Sequence, residues 1–253
     1  MIVCFLTLGG LCNRMRTMSS VIDLAHRTHQ KPFFIWVRMP DMNASFGSLF
    51  KDFPALVISV NARGAVFKTF DFLKEHWCEE FVDDAYVNAY CKDKLSENLQ
   101  RFKNKKVLVQ TCENITGTND YSMFRSVIIP TIKTENCIGV HIRRTDNEAS
   151  CAYSPTSLFV DRMQKAMDAD NRIKFYLATD SPEEETVLNT RFPGRLITTP
   201  KRSLDRNNQQ AIEDALVDLY CLAHCRMILG SYFSSFSDVA ASWGNIEKVV
   251  IHI

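Results

Sequence analysis

Residues 136–146, NCIGVHIRRTD, leave the least choice in this 253-residue chain. Residues 138–142 form a β-branched apolar run interrupted only by Gly139 and His141, which reads as a buried strand. The run then stops at Arg143, Arg144, Thr145 and Asp146. A strand of an open α/β sheet that ends in polar residues delivers them to the crevice beyond its carboxyl edge, where ligands bind. Two guanidinium groups there suit a diphosphate, because each stays charged and forks onto phosphate oxygens. A plainer reading is equally compatible with these residues: a strand ending in solvated arginines that pair with Asp146. Successive strand side chains alternate in direction, so Arg143 and Arg144 are not expected to share one ligand if pairing continues through 144.

Composition narrows the classes of partner. A hydrophobic content of 46% and a charged content of 23% describe an ordinary globular chain able to bury a core. A net charge of +1 gives no basic surplus for nucleic acid or an anionic membrane. The nine cysteines are scattered, mostly inside apolar runs, where Cys behaves as a small hydrophobe. That usage suggests a reducing compartment and no disulfide framework. Cys221 and Cys225 with His224 lack a second ligand pair, so no metal site is expected there. Residues 1–10 carry no basic start and no small-residue cleavage site, and no run approaches a bilayer-spanning length. The expectation is a cytoplasmic protein with no integral membrane segment.

Strand and helix signals alternate along the chain. Residues 2–8 read as a strand, followed by a glycine turn into a helix through Met15, Met18, Val21, Ile22, Leu24 and Ala25. The Gly9–Gly10 pair permits a tight turn and close approach of a ligand, and a helix start favours anions. Asn13 there is either a helix cap or a cleft residue. Strands are expected at 31–38, 55–60 and 107–111, a loop at 39–53, a short helix at 120–127 and a linker at 131–135. Phe46, Phe50, Phe53, Phe67, Phe70, Phe72, Trp77 and Phe81 make the middle aromatic, which suits core more than sugar stacking. Residues 147–155 look irregular, 156–169 helical, and 174–179 a strand ending at Asp180. That carboxylate either caps the helix opening at Pro182 or meets a ligand. A strand at 196–199 and a basic loop at 201–208 precede the clearest helix, 209–225, with an apolar stripe from Ala211 to Leu222. Asp218 falls at the edge of that stripe and needs a cationic neighbour or a ligand. A strand at 227–230 leads through the serine-rich turn 231–237 into a final helix, and 248–253 is a last strand. Ser234 and Ser235 are thus either an ordinary helix start or part of an anion cradle.

Three of these stretches, in the same order, resemble the α1,2/α1,6/protein O-fucosyltransferase superfamily, and the glycine turn resembles it as well. Residues 138–146 look like its H-x-R-R-T-D segment, 176–180 like Y-L-A-T-D, and 234–237 like S-[ST]-F-S. Residues 9–14 resemble its G-G-L-G-N-R turn, with Cys12 where glycine is usual. The likeness covers mainly 138–243 and the first twenty residues, and 32–135 carry none of these motifs. It implies an α/β fold of two Rossmann-like halves facing across a cleft, the glycosyltransferase B arrangement. Residues 1–131 would form the acceptor side and 132–253 would bind the nucleotide sugar. The implied reaction is inverting, metal-independent transfer of fucose from GDP-fucose to a glycan hydroxyl, without a cofactor. Arg143 would stabilise the departing GDP, with Gly10, Asn13, Arg14, His141, Asp180, Asp218, Ser234 and Ser235 around the donor and Asp218 paired to Arg143. Glu148 is the carboxylate nearest to where some relatives carry a general base. Eukaryotic relatives carry a luminal address, so a bacterial origin is expected. Two other classes remain open: a glycosyltransferase B enzyme using another nucleotide sugar, and a non-enzymatic nucleotide-binding α/β protein. The cysteine pattern carries its own test. Denatured protein alkylated without reductant should show all nine thiols modified by mass, and two or more protected thiols would contradict the reducing-compartment assignment.

Overall fold

Short apolar runs punctuated by glycine and polar turns become parallel strands here, and the inner strands Ile2–Leu6 and Cys137–Ile142 are buried along their whole length. The computed structural model describes residues 1–92 and 94–253. Its contacts divide the chain into two units, Met1–Val127 with Asp205–Glu213, and Ile128–Leu204 with Asp214–Ile253.

The first unit contains β1 (Ile2–Leu6), α1 (Leu11–Thr28), β2 (Pro32–Arg38), α2 (Phe46–Leu49), β3 (Phe50–Lys51), β4 (Leu56–Asn61), α3 (Gly64–His76), β5 (Glu80–Val82), α4 (Asp84–Tyr86), α5 (Leu95–Asn98), β6 (Val107–Val109) and β7 (Arg125–Ser126). Its sheet runs β4-β2-β1-β6-β5, and every pairing is parallel. All five residues of β1 are buried, which explains its unbroken apolar sequence. Gly9, at φ 67°, supplies the turn into α1, and His29 in the left-handed region ends that helix. Helix α3, which carries no cap signal in the sequence, brings Val66, Phe70 and Leu73 onto Val3, Phe5, Val37 and Leu108. Trp36, Phe46, Phe50, Phe53 and Phe124 pack at ring separations of 5.1–5.4 Å, so these aromatics are core. Phe67 and Phe72 are exposed instead. The helix expected at 120–127 does not form. Residues 125–126 pair antiparallel with β3, and Tyr121 and Phe124 are buried, so tertiary packing overrides the local pattern.

The second unit contains β8 (Cys137–Ile142), α6 (Glu148–Tyr153), α7 (Thr156–Ala169), β9 (Lys174–Thr179), α8 (Pro182–Arg191), β10 (Leu196–Ile197), α9 (Gln209–Ala223), β11 (Met227–Ser231), α10 (Ser235–Gly244) and β12 (Glu247–Ile251). The start of α9 groups with the first unit and the rest with the second. The parallel sheet runs β10-β9-β8-β11-β12, so chain order reverses between β8 and β11. In doubly wound sheets that reversal marks the ligand crevice. Ile138, Val140, Ile142, Phe175, Leu177 and Leu229 meet Phe159, Met163 and Leu188 in one core. Burying each such aliphatic side chain stabilises by about 1.5–3 kcal/mol relative to exposure. Residues 147–155 are not irregular as expected: Asn147 caps α6 by accepting from the Ser150 N–H at 2.9 Å.

Gly230 sets where α10 begins. A Cβ there would lie 2.6 Å from Ser237 Oγ and 2.8 Å from Ser237 Cβ, so the helix rests directly on the strand end. Gly230→Ala should therefore lower stability by about 1–3 kcal/mol, the usual effect of overpacking, read from urea unfolding. An unchanged midpoint would show that α10 can shift away from β11 without cost.

Candidate functional site

The carboxyl ends of β8 and β11 converge at the reversal point of the second sheet. His141 stands opposite Gly230 in register, and Ser231 Oγ ties the ends together. It donates to His141 O at 3.2 Å and accepts from the Arg143 N–H at 3.1 Å. β8 ends at Ile142, so the arginines lie beyond the ladder and their directions are set by side-chain partners. Arg143 Nη1 lies 2.9 Å from Asp180 Oδ2, and Nη2 pairs with Asp146. Arg144 turns away. Its Nε donates to Glu184 Oε1 at 2.6 Å, Nη2 to Thr156 Oγ1 at 3.0 Å, and Nη1 to Arg143 O at 2.9 Å. One arginine is thus held at the crevice while the other joins α7 and α8 to the strand end.

Asp180 does more than pair a cation. It accepts from the Arg144 N–H at 2.8 Å, from the Thr145 N–H at 3.2 Å and from Thr145 Oγ1 at 2.6 Å. Burial pushes its carboxyl up, but the Thr145 hydrogen bond, the Arg143 charge and the two backbone donors outweigh it and hold the group below the usual carboxylate range. The cap of α8 is Ser181, whose hydroxyl accepts from the Glu184 N–H at 3.3 Å, so capping is not the work of Asp180.

His141 is 5% exposed and stacks on Phe236 with ring centroids 4.9 Å apart. Burial, reinforced by the Arg143 charge, lowers its pKa to about 3, so the imidazole is neutral at ordinary pH. Its buried Nδ1 has no hydrogen-bond partner. A buried polar atom without a partner is costly, and a ligand group placed there would satisfy it. Ser234 is the N-cap of α10 but makes no side-chain capping bond, and Ser235 is the first helical residue. Helix starts leave backbone N–H groups free and carry partial positive charge, which suits an anion. Glu148 lies exposed in the first turn of α6.

Asp218 does not pair with Arg143. It is 4% exposed and accepts from Tyr176 Oη at 2.6 Å, Thr199 Oγ1 at 2.5 Å and Lys201 Nζ at 2.8 Å. Burial pushes this carboxyl up against the pull of the Lys201 ammonium and the two hydroxyls. The reason is geometric: α9 crosses β9 and the loop after β10, where Tyr176, Thr199 and Lys201 wait, while Arg143 is taken by Asp180. Neither Tyr176 nor Lys201 carried a sequence signal for this role, because their partner is 42 and 17 residues away. Asp214, one turn earlier, is held by Arg202 through Nε at 2.8 Å and Nη2 at 2.7 Å.

In the first unit, Asn13 packs on Gly9, where an added Cβ would meet Asn13 Nδ2 at 2.6 Å. Gly10 is the N-cap position of α1, and no Asn13 side-chain bond caps that helix. Arg14 is fully buried. Its Nε donates to Gly9 O at 3.2 Å, its Nη1 to Val37 O at 2.7 Å, and its guanidinium lies 5.0 Å from the Trp36 ring. Burial, partly offset by Asp41, lowers its pKa to about 10. Arg14 therefore pins the glycine turn to the end of β2.

Among the described residues no cluster of three His, Cys, Asp or Glu is placed to hold a metal. Asp168 and Asp170 have the D-x-D spacing that serves metal-dependent transferases, but Asp170 ends α7 at the amino edge of the sheet, opposite the crevice. No described helix is long and apolar enough to cross a membrane.

No protein-family model and no curated protein matches this sequence. Solved structures do match over nearly the whole chain. The NodZ alpha-1,6-fucosyltransferase soaked with GDP-fucose aligns with a TM-score of 0.63 at 18% identity, covering 95% of this chain and 91% of that one. A variant of Arabidopsis thaliana FUT1 in complex with GDP gives 0.62 at 12% identity, over 98% of this chain and 70% of that one. POFUT1 in complex with GDP gives 0.60 at 10% identity, over 100% and 98%. The chain shares the fold of these fucosyltransferases. The α/β class with two Rossmann-like units, expected from the sequence, is the class observed.

The buried network around Asp218 makes a quantitative statement. Asp218→Ala leaves the Lys201 ammonium and two hydroxyls without their acceptor, and should cost about 3–5 kcal/mol in chemical unfolding. Adding Lys201→Met should recover part of that loss. Strict additivity of the two single changes would show that the pair is not coupled.

Proposed function

We propose that the chain is an inverting glycosyltransferase that moves fucose from GDP-fucose to a glycan hydroxyl without a metal ion. The observation that carries this reading is the convergence of Arg143, the neutral His141 with its unpartnered Nδ1, and the start of α10 at one reversal point. The likeness to structures solved with GDP and GDP-fucose supports the choice of donor.

Arg143 forks onto the β-phosphate of the donor. Asp146, the more exposed of the two carboxylates, gives up its place to the incoming phosphate, while Asp180 stays bound to the turn and keeps the guanidinium aimed. As the acceptor oxygen attacks the anomeric carbon, the bond to the phosphate oxygen breaks and its electron pair leaves with GDP. The growing charge falls on Arg143 and on the α10 N–H groups with Ser234 and Ser235. Fixed donors aimed at developing charge contribute strongly, and loss of one costs about 10²–10³ in rate. The acceptor hydroxyl loses its proton in the same step, and Glu148 is our candidate to take it. Asp180 supports the site from behind, through the turn.

Thermal-shift screening of GDP, GDP-fucose, UDP and NAD separates the readings, since a ligand selective for the folded form raises Tm. GDP and GDP-fucose should raise it; preference for UDP would move the chain to another donor. Arg143→Lys keeps the charge but loses the fork. It should lower kcat/KM by about 10² or more, roughly 3 kcal/mol of transition-state stabilisation, with little change in Tm. Arg144→Lys should do the reverse, because Arg144 ties three elements together. Transfer should persist in EDTA. An Arg143→Lys variant that binds GDP and turns over like the parent would overturn this assignment.

A further inference from the structure

Immediately before Ser234 the chain does something unfavourable twice over. Phe233 adopts φ 52°, in the left-handed region where a bulky side chain is strained, and its ring is 77% exposed. Its neighbour Tyr232 is 39% exposed and Tyr153 is 50% exposed. Neither glycine nor asparagine, the residues that suit such a backbone, occupies position 233. Strain kept at an exposed aromatic points to use in a bound state.

The backbone beneath these rings is clamped. Asn147 Nδ2 donates to Phe233 O at 2.9 Å, and Ser150 Oγ donates to Tyr232 O at 2.6 Å. The Tyr232 N–H donates to Ser154 Oγ at 2.8 Å. Three side chains from one short segment therefore fix the two residues whose rings remain in solvent. Tyr232 sits at the centre of the row, with ring centroids 5.4 Å from Tyr153, 6.2 Å from Phe233 and 5.8 Å from His252.

We propose that Tyr153, Tyr232 and Phe233 form a stacking platform for a neutral saccharide, beside the phosphate-binding start of α10. Adjacent rings tilt by 59° and 34°, so the row presents a curved surface. That shape fits puckered sugar rings, whose C–H faces pack on aromatics while their hydroxyls reach neighbouring polar groups. A flat base would need one parallel face. His252, exposed beside Tyr232, supplies such a polar group next to the row. Naming the saccharide as the acceptor of transfer rests on the proposed function; its stacking does not.

Saturation-transfer NMR on the intact chain, with neutral tri- and tetrasaccharides of glucose, galactose, mannose and N-acetylglucosamine, tests the platform without turnover. At least one saccharide should receive signal. Phe233→Ala should weaken it by about fivefold, the scale of one lost stacking contact, and Phe233→Tyr should retain it. Phe233→Gly removes the ring but suits the backbone, so it should weaken saccharide binding while Tm holds or rises. GDP affinity should be unchanged in all three. The platform is refuted if no saccharide binds, if Phe233→Ala leaves binding intact, or if GDP affinity falls in parallel, which would make the row a base platform. Failure of the parent to bind GDP, with Phe233-dependent sugar binding preserved, would instead remove only the transferase reading.

Discussion

Asp180 is the anchor on which the second unit's crevice depends. Its two carboxylate oxygens collect two backbone N–H groups, one hydroxyl and one guanidinium, all from the three residues that follow β8. A strand end has no ladder partners to hold it, and Asp180 supplies the acceptors that the N–H groups of Arg144 and Thr145 would otherwise lack. With it, the turn is fixed and Arg143 is aimed. Charge-assisted bonds of this kind are short and strong because the acceptor is fully ionised, and the donors keep it so.

Packing provides the matching half of the crevice. Gly139 lets Leu222 and Cys225 of the α9 region approach β8, since a Cβ there would lie 2.9 Å from Leu222 Cδ2. Gly244 brings α10 against α9 so closely that a Cβ would meet Ala223 O. Gly230 seats the beginning of α10 on β11. Small residues at these contacts place a helix start, with its free N–H groups, next to the end of the arginine strand. The positive ends thereby gather in one place. Arg143 is compensated by two carboxylates there, and His141 is forced to stay neutral.

The inner strands β1 and β8 are legible because they are buried and therefore apolar, and α1, α7 and α9 because each has an apolar stripe, whereas α8 is legible only from its Pro182 opening. The edge strand β4 is read from its β-branched residues although much of it is exposed, and β5 is too short a run to read. What failed was local. Residues 120–127 carry a helical pattern yet pair with Phe50 and Lys51, and residues 147–155 look polar yet form α6 once Asn147 caps them. Helix α3 went unread because its start has no cap and several of its apolar residues stay exposed.

The sequence by itself determined the α/β class, the arginine-bearing strand end and the serine-rich helix start, because these depend on contiguous residues and on periodicities of two and 3.6. It also singled out Asp218 as a carboxylate needing a partner. Asp146, three residues from Arg143, was legible as an arginine partner; only the tertiary structure decided the others: Asp180 for Arg143, Glu184 and Thr156 for Arg144, Lys201 and Tyr176 for Asp218. Partner choice is a matter of which side chains reach one point in space, and no one-dimensional pattern encodes that. The same holds for Arg14. A basic residue after a glycine turn reads as a cleft residue, and only packing against Val37 and Trp36 shows it enclosed.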